Sequence, residues 1–501
     1  MRITNKMMTN NMMSNINKNK YNMSILEQQY SSGKKIQRPS EDPIIAVRAL
    51  KLRTNLSELK QYHEKNIPDA FAWLDLTESA ITTINGRLGE INTQCVYGAT
   101  DSLTAFDRSA IVQNLIEMRN QIYNEGNANN AGRYVFTGYK TDSSLTFLEG
   151  TTDYSYEITE SQSGEDILLG STVKGSYSLK DFEDVNQDFE DAPKLVDYRR
   201  IQLSYDKLDP SVDPAISLKF TLTKGDAAVD FADTLITTTS ITDTSIDNHY
   251  EPDPDEIHYI PETGELILGA NVYNDLKNAH NIDITYNKSS FDDGELKPEH
   301  YFDCKRTNTV TSDYAEFVRP EVKQEIKYEI NYNQKLTINT EGIEVISHKL
   351  GRDITEILNR VDDVVETEGK IAEVEKRLED TSLSDEDRKK YEALLGQLET
   401  ELVLKKEIMQ EAFTQGIRTS ENEQTRVNMA AADLGSRYVR LELTENRLAS
   451  QKVDFKDLMN ENENVNIVDT IIAFGSAEVI YNASLNAASR IVQNSLLDFL
   501  R

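Results

Sequence analysis

The sequence predicts an elongated α+β protein. Its long-helix coiled-coil and bundle domains are discontinuous, built from both termini, and they carry one inserted antiparallel β-rich domain. Three observations predict this. A seven-residue apolar repeat runs through each end of the chain. Helical periodicity continues inward from both ends, and about 200 residues between them alternate apolar with polar side chains.

At the C-terminal end Ile467, Ile471, Phe474, Tyr481, Leu485, Ala488, Val492 and Phe499 keep an alternating four-and-three spacing, broken at Glu478 and Ser495. Near the start Met12, Ile16, Met23, Leu26 and Tyr30 keep the same beat, with Asn19 as a polar interruption. One apolar seam along a helix calls for a partner helix. Two such end helices can meet each other and then neighbouring copies. These residues are therefore the expected assembly interface of a self-associating subunit.

The elements follow in order. The first helix ends near Ser31-Ser32-Gly33, where glycine accepts the left-handed backbone of a helix C-terminus. Asp42 before Pro43 has the chemistry of an N-cap followed by proline in the first turn. A long helix is expected from about Ile44 to Val96, with Pro68 kinking or splitting it. Trp73, the only tryptophan, reads as a core anchor. After a turn at Gly98 to Thr104, an amphipathic helix is expected from Asp107 to about Glu125. A loop over Gly126 to Gly132 then precedes a short strand at Arg133 to Gly138.

Between Asp142 and Ser347 the pattern changes to period two, as in Tyr154, Tyr156 and Ile158, in Ile216, Leu218, Phe220 and Leu222, and in Ile326, Tyr328, Ile330 and Tyr332. Antiparallel strands follow from this, with hairpins at Gly264 and Asn333 and a polar loop from Asn287 to His300. Helix returns at about Asp353. A second, very long helix is expected from about Asp385 to Phe455, with Asn460 to Asn464 as a polar joint before the last helix. The domains expected are thus three: 1–42 with 460–501 as a terminal helical assembly domain; 43–141 with 348–459 as a helical-bundle core bearing a charged helical hairpin at 366–398; and 142–347 as a β-rich outer insertion.

The 501 residues are 38% hydrophobic and 28% charged, with a net charge of -31. Such acidity speaks against nucleic acid or an anionic membrane as a partner. The charge is uneven: before Pro39, the basic Arg2, Lys6, Lys18, Lys20, Lys34, Lys35 and Arg38 face a single acid, Glu27. Either the basic opening steers the ends toward partners or it is a solvated face. Cys95 and Cys304 give neither a disulfide framework nor metal-ligand spacing. No secretory leader and no membrane-length apolar run is expected.

Catalytic chemistry is not legible. The six histidines have no i, i+4 pair, and no phosphate-cradling glycine loop or nucleophile elbow is present. The acidic clusters around Asp253 and Asp292 lack the calcium-loop spacing. No cofactor, metal or enzymatic activity is expected.

The stretch Tyr30-Ser31-Ser32-Gly33-Lys34-Lys35-Ile36-Gln37-Arg38-Pro39-Ser40-Glu41-Asp42-Pro43, running into Ala46 to Leu50, resembles the N-terminal signature of the flagellin superfamily. The two prolines around Ser40-Glu41-Asp42 resemble its hook-associated protein 3 branch, the hook–filament junction proteins. Ala72-Trp73-Leu74, Thr77 to Ala80, Gly132-Arg133 to Gly138, and the ending Ser495 to Leu500 with Leu497 and Phe499 are similar to the same family. The resemblance covers about 1–140 and 420–501. It implies a structural role outside the cell on the bacterial flagellum and unfolded export by the flagellar type III apparatus with an export chaperone. It also implies a homo-oligomeric ring between hook-associated protein 1 and flagellin. Filament flagellin and a flagellin-like surface adhesin are the alternatives.

Overall fold

The computed structural model describes residues 5–100, 103–175, 192–211, 214–223, 226–232, 235–241, 249–320, 322–380 and 383–499; the side chains of 5, 105 and 491–499 lie outside that description. Among the described residues the helices are α1 (Asn5–Ser32), α2 (Pro43–Gln61), α3 (Ile67–Gly98), α4 (Ala105–Glu125), α5 (Ala270–Leu276), α6 (His348–Leu378), α7 (Asp385–Glu463) and α8 (Ile467–Phe499). The strands are β1 (Asn129–Asn130), β2 (Arg133–Tyr134), β3 (Tyr154–Gln162), β4 (Leu168–Lys174), β5 (Lys194–Gln202), β6 (Ile216–Thr221), β7 (Val229–Asp230), β8 (Ile236–Thr238), β9 (Ile257–Ile260), β10 (Glu265–Leu268), β11 (Asn281–Lys288), β12 (Asp303–Asn308), β13 (Tyr314–Phe317), β14 (Lys327–Asn331) and β15 (Gln334–Thr337). Helix makes up 56% and strand 18%. Terminal helices and an inserted antiparallel sheet domain make up the α+β arrangement the sequence predicts.

Two compact units result. One comprises Met1–Ala70, Tyr328–Leu336 and Val439–Arg501; the other comprises Phe71–Lys327 and Thr337–Tyr438.

In the first unit α1 ends at Gly33, whose φ of 67° is the left-handed region and whose N–H donates to Gln29 O at 2.8 Å. Asp42 caps α2: its Oδ1 accepts from Ile44 N at 2.9 Å and Ile45 N at 3.1 Å, with Pro43 in the first turn. Proline at 68 does not open a gap. A π-helical turn, Tyr62–Asn66, joins α2 to α3, and Ile67 N–H reaches back to Tyr62 O. Pro68 then follows just after the π turn, and the helix runs on through it along α3.

In the second unit, α3 presents Trp73, Leu74, Ile81, Ile84, Leu88 and Ile91, all buried, and α6 presents Leu350, Ile354, Ile357 and Val361. Gly416 of α7 lets these helices close together. A Cβ there would stand 2.9 Å from Ile357 Cδ1 of α6 and 3.1 Å from Cys95 Sγ of α3. Farther along, α6 and α7 pack around Val374, Leu394 and Leu398, with Ser384 Oγ accepting from Asp387 N at 3.1 Å at the start of α7.

The inserted domain is two sheets face to face. One has the order β13-β12-β3-β11-β6-β7 and the other β4-β5-β10-β9-β8. Strict alternation in β11 buries Ile282, Ile284 and Tyr286; Tyr286 stands opposite Ile158 of β3 and Ile216 of β6. These meet Ile201, Tyr259 and Leu266 of the facing sheet in one core. The outer side of the five-stranded sheet is tied to α6 by Arg200, which pairs with Glu265 and, at 2.5 Å, with Glu356.

Several expectations change. The strand expected over 133–138 shrinks to β2, paired with β1 through Ala131 (φ 52°) and Gly132 (φ 87°). Two positive-φ residues make the tight turn that two strands require. Val135 and Phe136 are buried outside any sheet. Helix α5 sits inside the strand-rich region, too short for periodicity to show, with Val272 and Leu276 buried. Among the described residues the strands of the two larger sheets pair antiparallel, save β8 with β9, which is parallel. Within 287–300, expected to be a polar loop, β11 runs on to Lys288, while Phe291 and Leu296 enter the core. Helix α4 starts at Ala105 because Thr104 and Asp107 form a capping box. Helix α6 starts at His348 rather than Asp353, and α7 runs on to Glu463, leaving 464–466 as the joint. Cys95 and Cys304 are free and buried.

Candidate assembly interface

The two chain ends pair. Helix α1 lies against α8, with Ile16 buried and Met12, Asn19, Met23 and Leu26 half-buried along its inner stripe. That stripe is the predicted seam of α1, except that Tyr30 is exposed. Asn19, the polar interruption, has a partner: its Nδ2 donates to Ser484 Oγ at 3.2 Å.

On α8 the inner stripe is Thr470, Phe474, Ala477, Tyr481, Ser484 and Ala488. Phe474, Tyr481 and Ala488 were predicted for the seam. Ile467, Ile471 and Leu485 are instead 53%, 47% and 42% exposed. Ile472, Val479 and Ile480 are exposed as well, so α8 carries apolar side chains that α1 does not cover. The side chains of Val492, Leu497 and Phe499 lie outside the described residues. The sequence reading missed the inner positions because Thr470, Ala477 and Ser484 are small or polar. Only their four-and-three spacing, read without regard to hydrophobicity, could have found them.

A polar clasp joins the helices at the joint. Val465 N donates to Gly33 O at 3.0 Å and Lys35 N to Glu463 O at 2.7 Å. Glu463, its side chain 8% exposed, accepts from Arg53 Nε and Nη2, each at 2.7 Å, and from Lys34 Nζ at 3.2 Å. The paired guanidinium of Arg53 holds the Glu463 carboxyl below the usual carboxylate range. Lys34 Nζ also donates to Asn464 Oδ1 at 2.6 Å, and Asn462 Nδ2 to Ile45 O at 3.1 Å. None of Arg53, Asn462 or Glu463 carries a sequence signal, since their partners are more than 400 residues away.

Several signature residues have local partners. Ser32 Oγ donates to Gln28 O at 2.7 Å and accepts from Lys34 N at 3.2 Å. Pro39 occupies the turn closed by Glu41 N and Arg38 O at 3.0 Å. In the second unit the Arg133 guanidinium lies over the Trp73 ring, 5.2 Å from its centroid. Among the described residues no group of histidine, cysteine and carboxylate side chains is placed to hold a metal, and no helix is long and apolar enough to cross a membrane.

Residues 3–141 match the family model described as the bacterial flagellin N-terminal helical region. The chain is 32% identical over 145 residues to flagellar hook-associated protein 3 of Salmonella typhimurium, covering 28% of this chain and 45% of that protein. It is 30% identical over 118 residues to the protein of the same name from Escherichia coli, covering 23% and 36%. The matched stretches thus span less than half the length of these relatives. Among solved structures, the flagellar hook-associated protein 3 of Legionella pneumophila aligns over 82% of this chain and 97% of its own at 10% identity and a TM-score of 0.29. The chain resembles hook-associated protein 3 and carries a flagellin-type N-terminal region.

Proposed function

We propose that this chain, with its flagellin-type N-terminal region, is a structural, non-enzymatic subunit of the bacterial flagellum located at the junction between hook and filament. The observation that carries the reading is the α1–α8 pair. It satisfies one seam within the chain and leaves Ile467, Ile471, Ile472, Val479, Ile480 and Leu485 exposed around the rest of α8. Apolar side chains left exposed around a helix already paired on one side are suited to burial by further helices. Those helices belong to sister copies in a ring, and at the two faces of the ring to hook-associated protein 1 and flagellin. An export chaperone covers the same surface before assembly. The layering of 1–42 with 460–501, then 43–141 with 348–459, then 142–347 is part of the proposal, with the terminal layer as the assembling one.

Deleting the gene in a motile parent tests it. Hooks should remain while flagellin is lost to the medium. Filaments of normal length on the deletion strain would overturn the junction role. Purified chain that grows long filaments unaided would instead favour a filament flagellin.

A further inference from the structure

In the second unit a cavity of about 440 Å³ lies between one end of the β-sandwich and the first turn of α6. Its walls come from β3, β4 and β5, from Tyr301 and Phe302, from Ser347, His348 and Arg352, and from Arg426 of α7. A cavity of this size accommodates a small ligand.

The polar atoms around it are unbalanced. Its two carboxylates are engaged with the protein. Glu160 accepts from Gln162 Nε2 at 2.7 Å, Ser204 N at 3.0 Å and Tyr286 Oη at 3.1 Å, while Asp166 accepts from Ser163 N at 2.9 Å and Ser163 Oγ at 2.7 Å. The donors are not so engaged. Tyr301 Oη, Arg352 Nε, Arg426 Nε and His348 Nε2 are buried with no hydrogen-bond partner among the described residues. Tyr301 and Arg352 are only 3% and 9% exposed. Both terminal nitrogens of Arg352 are held, Nη1 by Asp206 at 3.3 Å and Nη2 by Thr263 O, and Nη2 of Arg426 pairs with Glu423. The Arg352 plane is therefore fixed at both ends and the Arg426 plane anchored at one, while the Nε–H of each has no partner among the described residues. His348 is wedged among Tyr301, Tyr205 and Phe302, with ring centroids at 4.6, 4.8 and 5.2 Å. Burial, with Arg352 beside it, pushes its pKa down to about 3, so the ring is neutral near pH 7 and adds a donor or acceptor without charge.

A buried donor without an acceptor is costly, and native structures carry few of them. Three certain donors lining one cavity whose Glu160 and Asp166 carboxylates already accept from the protein define a place short of acceptors. We propose that this cavity binds a small oxyanion, a carboxylate or phosphate group whose oxygens accept from Tyr301 Oη and from the Nε–H groups of Arg352 and Arg426. Charge-assisted donation from fixed guanidinium groups is the strong form of such recognition. The inference does not depend on where in the flagellum the chain sits.

Titration calorimetry of the whole chain with sodium phosphate and with sodium citrate, against chloride at equal ionic strength, tests it. At least one anion should bind at a single site with Kd below about 1 mM. Tyr301→Phe should weaken that binding at least about tenfold. It should leave the unfolding temperature of the ligand-free chain unchanged or higher, because it removes an unmet buried hydroxyl. Arg426→Gln should weaken it similarly, and Arg352→Gln should abolish it. Should Arg352→Gln fail to fold, the other two variants carry the test. Absence of binding by both anions overturns the proposal. So does binding that Tyr301→Phe leaves as strong as in the parent, because the anion then sits elsewhere.

Discussion

Glu463 gathers two donations from Arg53 and one from Lys34 onto a carboxylate with little solvent contact, at the point where α7 gives way to α8. Its folded pKa is depressed, with the Arg53 hydrogen bond as the first cause. A depressed carboxylate contributes stability that is full above its unfolded pKa and is lost as pH falls through the lower folded value. The clasp should therefore loosen only on the acid side, through and below the ordinary carboxylate range. Replacing Glu463 with Gln removes the charge but keeps the shape. Because Arg53 and Lys34 are themselves largely exposed, the loss should be modest, about 1–2 kcal/mol. Amide exchange reads this directly at Lys35 and Val465, whose N–H groups close the joint. Their protection should fall about tenfold in the variant at pH 7, since a factor of ten corresponds to about 1.4 kcal/mol. The parent's acid-side loss should also flatten in the variant. Equal protection in the two proteins would show that Glu463 is a bystander.

The end helices separate two kinds of apolar residue that look alike in the sequence. Phe474 faces α1, and Leu485 faces solvent. Phe474→Asp places a charge in the intrachain seam and should cost about 2 kcal/mol or more, releasing α1 in the free chain. Leu485→Asp should leave the monomer's helicity and its α1 exchange unchanged, yet stop incorporation into flagella. Circular dichroism with hydrogen exchange on the free chain, and filament attachment in cells, distinguish the two. The same effect of both substitutions on the monomer would refute the division of faces. This split also marks what was legible. Asp42 and Gly33 were readable because capping is the chemistry of one residue in one turn. The α1 stripe was readable because its inner positions are large and apolar. The α8 stripe was half readable, because Thr470, Ala477 and Ser484 do not announce themselves and exposed isoleucines do. The extent of β2, the helix α5 and the parallel pairing of β8 with β9 were not readable. The first two are too short for a period to form, and the third joins segments whose pairing no local pattern encodes. The oxyanion cavity was hidden for the same reason, being assembled from Tyr301, Arg352 and Arg426, which are far apart in the chain.

For the molecule as a whole, charge opposes the association that the apolar face promotes. The net charge is -31, yet residues up to Arg38 carry seven basic groups and one acid, so the negative excess lies entirely beyond them. Two copies approaching from a distance respond to net charge alone, and like net charges repel. The basic α1 can attract an acidic neighbour only at close range. Salt distinguishes the two regimes, because the Debye length falls from about 30 Å at 0.01 M to about 10 Å at 0.1 M. Over that range the long-range repulsion is largely screened, while the burial of Ile467, Ile471 and Leu485 against a neighbour is little changed. The free chain should therefore repel itself at low salt and lose that repulsion as salt rises. Light scattering should show a strongly positive second virial coefficient at 0.01 M that falls several-fold by 0.1 M. A coefficient that is negative at 0.01 M and rises with salt would mean that attraction between basic ends and acidic bodies dominates. The charge asymmetry would then be a steering device, and its removal by neutralising Lys18 and Lys20 should slow assembly rather than quicken it.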